Sequence, residues 1–559
     1  MTTQAFVRRV AAQLGLFDRL QPGVPSGKAN RRELILVTAG LVVSVAILLN
    51  RQLLDWYGVP DPGDPLFSMW RMGWVAHQVV ADPRHLFDTN TFYPERRTLT
   101  YSDSMLLPAL TAAPLLWIGV PVAVAYTALL LSSFVLSGVA TYLLARALSL
   151  SPGAAWMSAL LFAFCQYRFE HYSHLELQMT HWMPLTLLAA VRLLSTGATR
   201  YFAYLVLAAT AQWYSSMYYG VFLTIYAGVF VPVLALVWRP GWRRFAAATA
   251  ALFCGLALAL PLARVYKSTE GDRGIRDTHA VAYFSARLLD YLQPHHRSVY
   301  GEWQVVKTVG ERHLFPHFTP LVLAAAGAWP PIGATRLALV ASGLIAFDGS
   351  LGFNGSWYRL AYENLQPLRS MRVPARFAVL VNLTLALLGG FGAARLLAFA
   401  STPPHRRILL ALLTVVFLLE CLPTLKLTTM WRRPPFLYSS LGPRSGAILF
   451  EYPINIMDTE NFAYQYFSTW HWTKTVNGYS GFFPKSYQEL EASTEGFPTG
   501  NTVAYLQGRG VTHVAVHCAF WTEEACALAH ERIESDPRFR LVTSTWWEGK
   551  PARLYELSR

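Results

Sequence analysis

Leu34-Ile35-Leu36-Val37-Thr38-Ala39-Gly40-Leu41-Val42-Val43-Ser44-Val45-Ala46-Ile47-Leu48-Leu49 contains no charged side chain and follows a flank that carries Arg8, Arg9, Arg19, Lys28, Arg31 and Arg32. With its flanks, such a run is long enough to cross a hydrocarbon core of roughly 30 Å. The basic flank assigns residues 1–33 to the cytoplasm, because Lys and Arg accumulate on that side of a span. The run starts too late for a signal peptide and lacks a small-residue cleavage site. Further apolar runs follow at 105–118, 122–145, 154–166, 177–194, 201–213, 216–238, 245–263, 317–328, 335–347, 376–399 and 407–424.

The composition agrees with a chain built of spans. Of the 559 residues, 53% are apolar or aromatic and 14% are charged, where a soluble domain carries roughly a quarter. Disorder, a fibrous repeat and a small disulfide scaffold are excluded, and 5 Cys are too few for an array of metal fingers. A net charge of +14 invites a nucleic-acid reading, but the arginines sit beside the apolar runs, where they orient a membrane protein and call for no nucleic acid.

If every run crosses, Arg239, Arg243, Arg244, Arg406 and Arg407 face outward. The run at 105–118 holds Pro108 and Pro114 and has the length of a re-entrant or interfacial segment. Setting it aside leaves about eleven spans and brings Arg146, Arg192, Arg200, Arg336 and Arg395 to the cytoplasmic side with the others. The expected architecture is mainly α: a polytopic membrane domain over 34–424 with a large first outer loop, 50–121. Segments 167–176, 264–316 and 348–375 also face outward, as does the tail 425–559. That tail reads as a small α/β domain, with strands at 447–452, 511–518, 539–545 and 552–557 and a helix starting after Thr522. A disulfide between Cys518 and Cys526 is one option that spacing alone leaves open.

Four groups of residues stand out for chemistry. In the first outer loop, Asp61-Pro62-Gly63-Asp64-Pro65 precedes a Trp-rich amphipathic run that includes Trp70 and Trp74, and the loop later reaches Tyr101-Ser102-Asp103-Ser104. Asp61, Asp64 and Asp103 are the candidate catalytic carboxylates, set against the plainer reading of a turn and a helix cap. In the second group, Arg168-Phe169-Glu170-His171-Tyr172-Ser173-His174-Leu175-Glu176, the i, i+3 spacing puts His171 and His174 on one helical face. With Glu176 they suit a divalent metal such as Mg or Mn, or with Arg168 an acidic substrate. The third group holds Arg369, Arg372 and Arg376, on the wrong side for topology signalling, with paired donors suited to phosphate oxygens or to anionic lipid. The fourth, Trp470, His471, Trp472 and Tyr479, suits stacking on a sugar or an interfacial aromatic belt.

A long first outer loop with an acidic residue near its start, a short embedded helix closing it, many spans and an outer C-terminal domain resemble GT-C-type integral membrane glycosyltransferases. Gly63-Asp64-Pro65 with Trp70, Trp74 and Phe92-Tyr93-Pro94 is similar to uncharacterised bacterial members of that group, and 171–176 and 369–377 look like further recurring segments. Where an Asp often forms the second acidic motif, His174 and Glu176 stand. The resemblance implies transfer of a sugar from a polyprenyl-phosphate donor to a glycan, lipid or protein acceptor outside the cytoplasm of a bacterial inner membrane. Asp64 is then the general base. Arg372 and Arg376, or a metal near His174 and Glu176, balance the charge of the departing phosphate. The aromatic group of the tail then binds the acceptor.

Two other classes compete. A transporter or flippase would carry ionisable groups near mid-membrane, whereas here they gather in the outer loops and Glu420 lies near a span end. A non-catalytic scaffold leaves Asp64 and the His174 cluster without a role.

Overall fold

A helix lies over each of the apolar runs. In a computed structural model that describes residues 27–273, 277–442, 445–454 and 460–558, these are α1 (Arg31–Leu48), α3 (Leu106–Trp117), α4 (Val122–Ala147), α5 (Pro152–Ala163), α6 (Trp182–Thr196), α7 (Thr199–Ser215), α8 (Met217–Trp238), α9 (Trp242–Lys267), α10 (Phe318–Ala328), α11 (Ala334–Ser350), α12 (Ala378–Phe399) and α13 (Pro403–Glu420). The segment 50–121 supplies α2 (Asp64–Ala81). Most of the basic N-terminal segment, including Arg8, Arg9 and Arg19, lies outside the described residues. By length and composition, four helices among the described residues are able to cross a membrane: α4, α8, α9, and α12 with the turn before it. The remaining crossings expected from the sequence rest on helices that are shorter or more polar.

The short α3 spans 12 residues and holds Pro114, about 18 Å of helix, close in length to α5 with 12 residues and α10 with 11. It packs between α2 and α4. The run at 177–194 departs from expectation: its first residues form the separate turn Leu175–Gln178, and α6 starts only at Trp182. Gln178 causes the break. Its amide donates to the carbonyls of Arg168 and His171 at 3.0 and 2.7 Å, which folds this segment back on the one before it.

Glu420, at the end of α13, accepts from the backbone N–H groups of Phe318 and Thr319 at 2.6 and 3.0 Å and from the Tyr300 hydroxyl at 3.2 Å. A carboxylate against the first N–H groups of α10 satisfies donors that have no partner within the helix. This buried charge therefore serves a helix end, and no transport path is needed to explain it.

The tail carries a five-stranded sheet in the order β4 (Lys474–Thr475), β3 (Ile448–Tyr452), β5 (His513–His517), β7 (Lys550–Leu557), β6 (Phe539–Trp547). β3 is parallel to β4 and β5, with Leu449 opposite His513. β7 is antiparallel to β5 and β6. The helix Glu523–Ser535 starts at Thr522, whose hydroxyl accepts from the Ala525 N–H, and Cys518 and Cys526 are joined in a disulfide. The tail leans on the first outer loop. β1 (Gly58–Val59) pairs with β2 (Thr428–Thr429), and α14 (Glu460–His471) packs along α2.

Close helix contact replaces hydrophobic collapse inside a membrane bundle. α10 and α12 meet at Gly327 and Gly392, where an added Cβ would overlap the carbonyl oxygens of Leu388 and Leu323 respectively. Gly327→Val is expected to lower the melting temperature of the detergent-solubilised protein, at a cost of about 1–3 kcal/mol for overpacking. Thermal unfolding followed by intrinsic fluorescence checks this, and an unchanged melting curve refutes the contact.

Candidate functional site

α2 begins where the sequence places its carboxylates. Gly63 precedes the helix, Asp64 and Pro65 occupy the first turn, and a negative charge is favoured there by the helix dipole. Asp64 Oδ2 lies 3.1 Å from His174 Nε2, on the wall of a cavity of about 550 Å³. The same cavity is lined by Asp103, Glu176, Arg372, Arg376 and Tyr479. Residues from three separate segments between the apolar helices, together with the tail, thus meet in one space.

Charge compensation organises the walls. Arg71 projects from α2 two turns after Asp64, on the same helical face. It pairs with Glu176 at 3.0 Å, with 1% and 7% of the two side chains exposed, and donates to the Asp103 carbonyl at 2.5 Å. Asp103 Oδ2 accepts from the Met217 N–H at 2.8 Å, at the N-terminus of α8. Arg376 Nε donates to Glu311 Oε2 at 2.8 Å, and its Nη2 pairs with Oε1 of the same residue. Glu170, buried beside this pair, accepts from the Glu311 N–H at 2.8 Å and contacts His295 and His313 at 3.1 and 3.2 Å.

These contacts set the protonation states. Burial opposes the charge on Asp64, but His174, joined by Arg71 and Arg376, outweighs it and holds the carboxyl below its ordinary value. Burial also opposes the His174 cation, and Asp64 overcomes it, raising the imidazole to about 9. Asp103 is pushed up to about 6 by burial and by Glu176, with Arg71 pulling the other way. His171 falls to about 4 because burial outweighs Glu311. At neutral pH the cavity therefore holds an Asp64 carboxylate against a His174 imidazolium, with a neutral His171 behind them.

Several residues singled out in the sequence stand off the cavity wall. Asp61 accepts from the Gly63 N–H at 3.1 Å and from the Ser173 hydroxyl at 2.5 Å, which is the work of a turn. Arg168 is fully buried. It donates to Gln178 Oε1, the Ala163 carbonyl and the Ser133 hydroxyl at 3.0, 3.0 and 2.7 Å and lies 3.9 Å over the Phe134 ring, so it braces the segment from inside. Arg369 turns away to the carbonyls of Tyr362 and Glu363, at the end of a short helix. In the aromatic group, His471 stacks on Tyr438 at 4.8 Å, Trp472 stacks on His77 of α2 at 4.7 Å, and Trp470 packs edge-on against Tyr466 at 5.0 Å. Tyr479 alone of that group reaches the cavity.

The donor set proposed for Mg or Mn does not assemble. His171 faces Glu311 at 3.5 Å, His174 faces Asp64, and Glu176 is engaged by Arg71. Among the described residues, the trio within ligating range of one another is Cys518, Cys526 and His530, and a disulfide already joins the two cysteines. The residues present do not fit a resident metal at this cavity.

Other residues of the site, some behind the cavity wall and some on it, carried little signal in the sequence. Arg71 was legible as a single cation in an apolar helix face seven residues after Asp64. Glu311 had no local signal, because only the fold brings its loop to Arg376. Arg264 and Lys267, at the end of α9, also line the cavity. So do Leu256, Ala259, Leu260 and Ala263 from the preceding turns, which make that side apolar. Arg372 donates its backbone N–H to the Tyr218 hydroxyl at 2.8 Å. Its guanidinium lies 5.1 Å over the Phe284 ring and makes no ion pair among the described residues.

The fold is similar to solved structures of membrane glycosyltransferases. The chain superposes on the arabinofuranosyltransferase AftD from Mycobacteria with a TM-score of 0.66 at 16% identity, over 96% of this chain and 40% of that one. ArnT from Cupriavidus metallidurans bound to undecaprenyl phosphate matches with a TM-score of 0.51 at 11% identity, over 94% and 98% of the two chains. The apo state of ArnT matches at 0.50 and 13%, over 93% and 97%. The chain has the GT-C-type fold, and it spans 40% of the length of AftD. The sequence profile described as a domain of unknown function, DUF6311, matches residues 34–315. No curated protein matches the chain.

Removing one partner of a buried ion pair leaves an uncompensated charge. Glu176→Ala is expected to destabilise the protein by about 3–5 kcal/mol, read as a lowered melting temperature. The double change Arg71→Met with Glu176→Leu is expected to recover part of that loss. Equal melting of the wild type and Glu176→Ala would show that the pair carries no structural weight.

Proposed function

The chain belongs to the DUF6311 family, and on that premise we propose that it is an integral membrane glycosyltransferase. It moves a hexosyl or pentosyl group from a polyprenyl-phosphate donor to a glycan, lipid or protein acceptor outside the cytoplasm. One observation carries the reading: Asp64, paired with His174, shares a single cavity with Arg372, Arg376 and the apolar face of α9. A carboxylate, a guanidinium without a carboxylate partner at Arg372 and an apolar wall are what a lipid-linked sugar phosphate requires.

In this reading, the acceptor hydroxyl oxygen forms the new bond to the anomeric carbon of the donor sugar. The bond from that carbon to the phosphate oxygen breaks, and its electron pair stays with the phosphate. The hydroxyl proton passes to Asp64, the general base. Arg372, whose guanidinium makes no ion pair among the described residues, and Arg376 stabilise the growing charge on the phosphate. His174 orients the carboxylate, while α9 offers its small apolar residues to the polyprenyl chain. The cavity lies at the outer face, with the N-terminus cytoplasmic and 425–559 extracytoplasmic. The tail contributes Tyr479 and Phe482 to the wall, where a ring can stack on a sugar. The solved ArnT with undecaprenyl phosphate supports a polyprenyl-phosphate donor for this chain as well.

Asp64→Asn keeps the size of the side chain and removes the base. In membranes supplied with polyprenyl-phosphate sugars, it is expected to lower sugar transfer by about 10²–10⁴-fold, with thermal unfolding of the same variant followed to separate loss of the base from loss of the fold. Transfer at the wild-type rate would refute the assignment. The pH profile supplies a second check. His174 helps keep the Asp64 carboxyl low, so the base form survives into acid and activity falls only as pH drops through that lowered value. His174→Gln removes the cation, the Asp64 value rises, and the acid limb of the transfer profile moves to higher pH. An acid limb that stays in place would place the base elsewhere.

A further inference from the structure

A second cavity, of about 510 Å³, opens beside the first and shares Arg264 with it. Its other cations are Arg84, Arg96 and Arg97, from the loop that follows α2. The two walls are tied together. Arg97 donates to the Ser268 hydroxyl, and the Thr100 and Thr269 hydroxyls meet at 2.8 Å. Arg97 holds a left-handed backbone, with φ 56°, which a non-glycine residue adopts only where its surroundings impose it. Its N–H donates to Asp88 Oδ1 at 2.8 Å.

Four arginines therefore line one cavity whose lining holds a single carboxylate, Asp88. Among the described residues none of the four makes an ion pair. His85, also on the wall, is engaged by Asp82 at 2.6 Å. Both walls come from segments assigned to the outer side, so the positive-inside tendency does not account for these arginines. Unpaired like charges around one space repel each other, and an oxyanion with several acceptor oxygens relieves that repulsion through paired N–H donors.

We propose that this cavity binds an anionic group of the acceptor, a phosphate or a carboxylate, and so presents the acceptor hydroxyl to the neighbouring cavity past Arg264. The inference rests on the transfer reading above and adds to it the chemical class of the acceptor: one that carries negative charge near the reacting hydroxyl. Arg84 and Arg96 are exposed and take no part in the walls around Asp64, so they can be changed without touching the proposed base.

The test uses the full chain in nanodiscs of neutral phosphatidylcholine, titrated calorimetrically with glucose 1,6-bisphosphate and with glucose. The bisphosphate is expected to bind and glucose not to bind. Affinity is expected to fall about tenfold or more in Arg84→Gln with Arg96→Gln and to be kept in part by Arg84→Lys with Arg96→Lys. Asp64→Asn is expected to bind like the wild type, so loss of transfer in that variant and loss of anion binding are read separately. Equal binding by the wild type and the double Gln variant overturns the proposal and leaves the transfer reading standing. Transfer that survives Asp64→Asn removes the base assignment on which the acceptor role depends. Retention on phosphatidylglycerol vesicles without any binding of the bisphosphate also overturns it, because the arginines would then serve as a lipid anchor.

Discussion

Charged groups at the edge of an apolar body have to find partners of opposite sign, and the architecture around Asp64 follows from how they do so. Arg71 lies in the middle of α2 with 1% of its side chain exposed, where an unpaired guanidinium is not tolerated. Its pair with Glu176, and its bond to the Asp103 carbonyl, lock α2 against both the 167–176 segment and the approach to α3. That lock brings His174 to Asp64. The Arg376–Glu311 pair and the Glu170 contacts with His295 and His313 repeat the arrangement on the other side, so the walls are held by complementary charge as well as by packing.

This arrangement also explains which charges remain free for chemistry. Arg168 is fully engaged inside the protein, Arg369 caps a helix, and Asp61 shapes a turn. Arg372 and the arginines beside α9 have no carboxylate partner among the described residues. Arg372 lies unpaired on the cavity wall, and Arg376 beside it is held in place by Glu311, an arrangement suited to handling phosphate in the proposed transfer.

Much of the helical part was legible in the sequence, because an uncharged run of bilayer length has few alternatives. The short α3 was legible as a helix with prolines, although its 12 residues are matched by α5 and exceed the 11 of α10. The strands of the tail could be read from alternating apolar residues, and its last helix from Thr522 and the acidic residues that follow. Individual side-chain roles were less legible. His171 and His174 share a local spacing that fits joint ligation, yet the chain bends between the short helices, and each ring meets a different carboxylate. Trp470, His471 and Trp472 look like a sugar platform in sequence, yet α14 lies along α2, and the ring of Trp472 is used in that packing.

By itself the sequence determined that the chain is a bundle of apolar helices, that its chemistry-bearing groups gather in a few segments between them, and that Asp64 opens a helix. Those features depend on local composition and spacing, which neighbours in the chain suffice to define. Only the tertiary structure decided which ionisable groups neutralise each other and which are left facing a cavity. Glu311 reaches Arg376 across 65 residues, and Arg71 reaches Glu176 across 105. Over such separations electrostatic pairing is set by where the helices pack, and no local pattern encodes it.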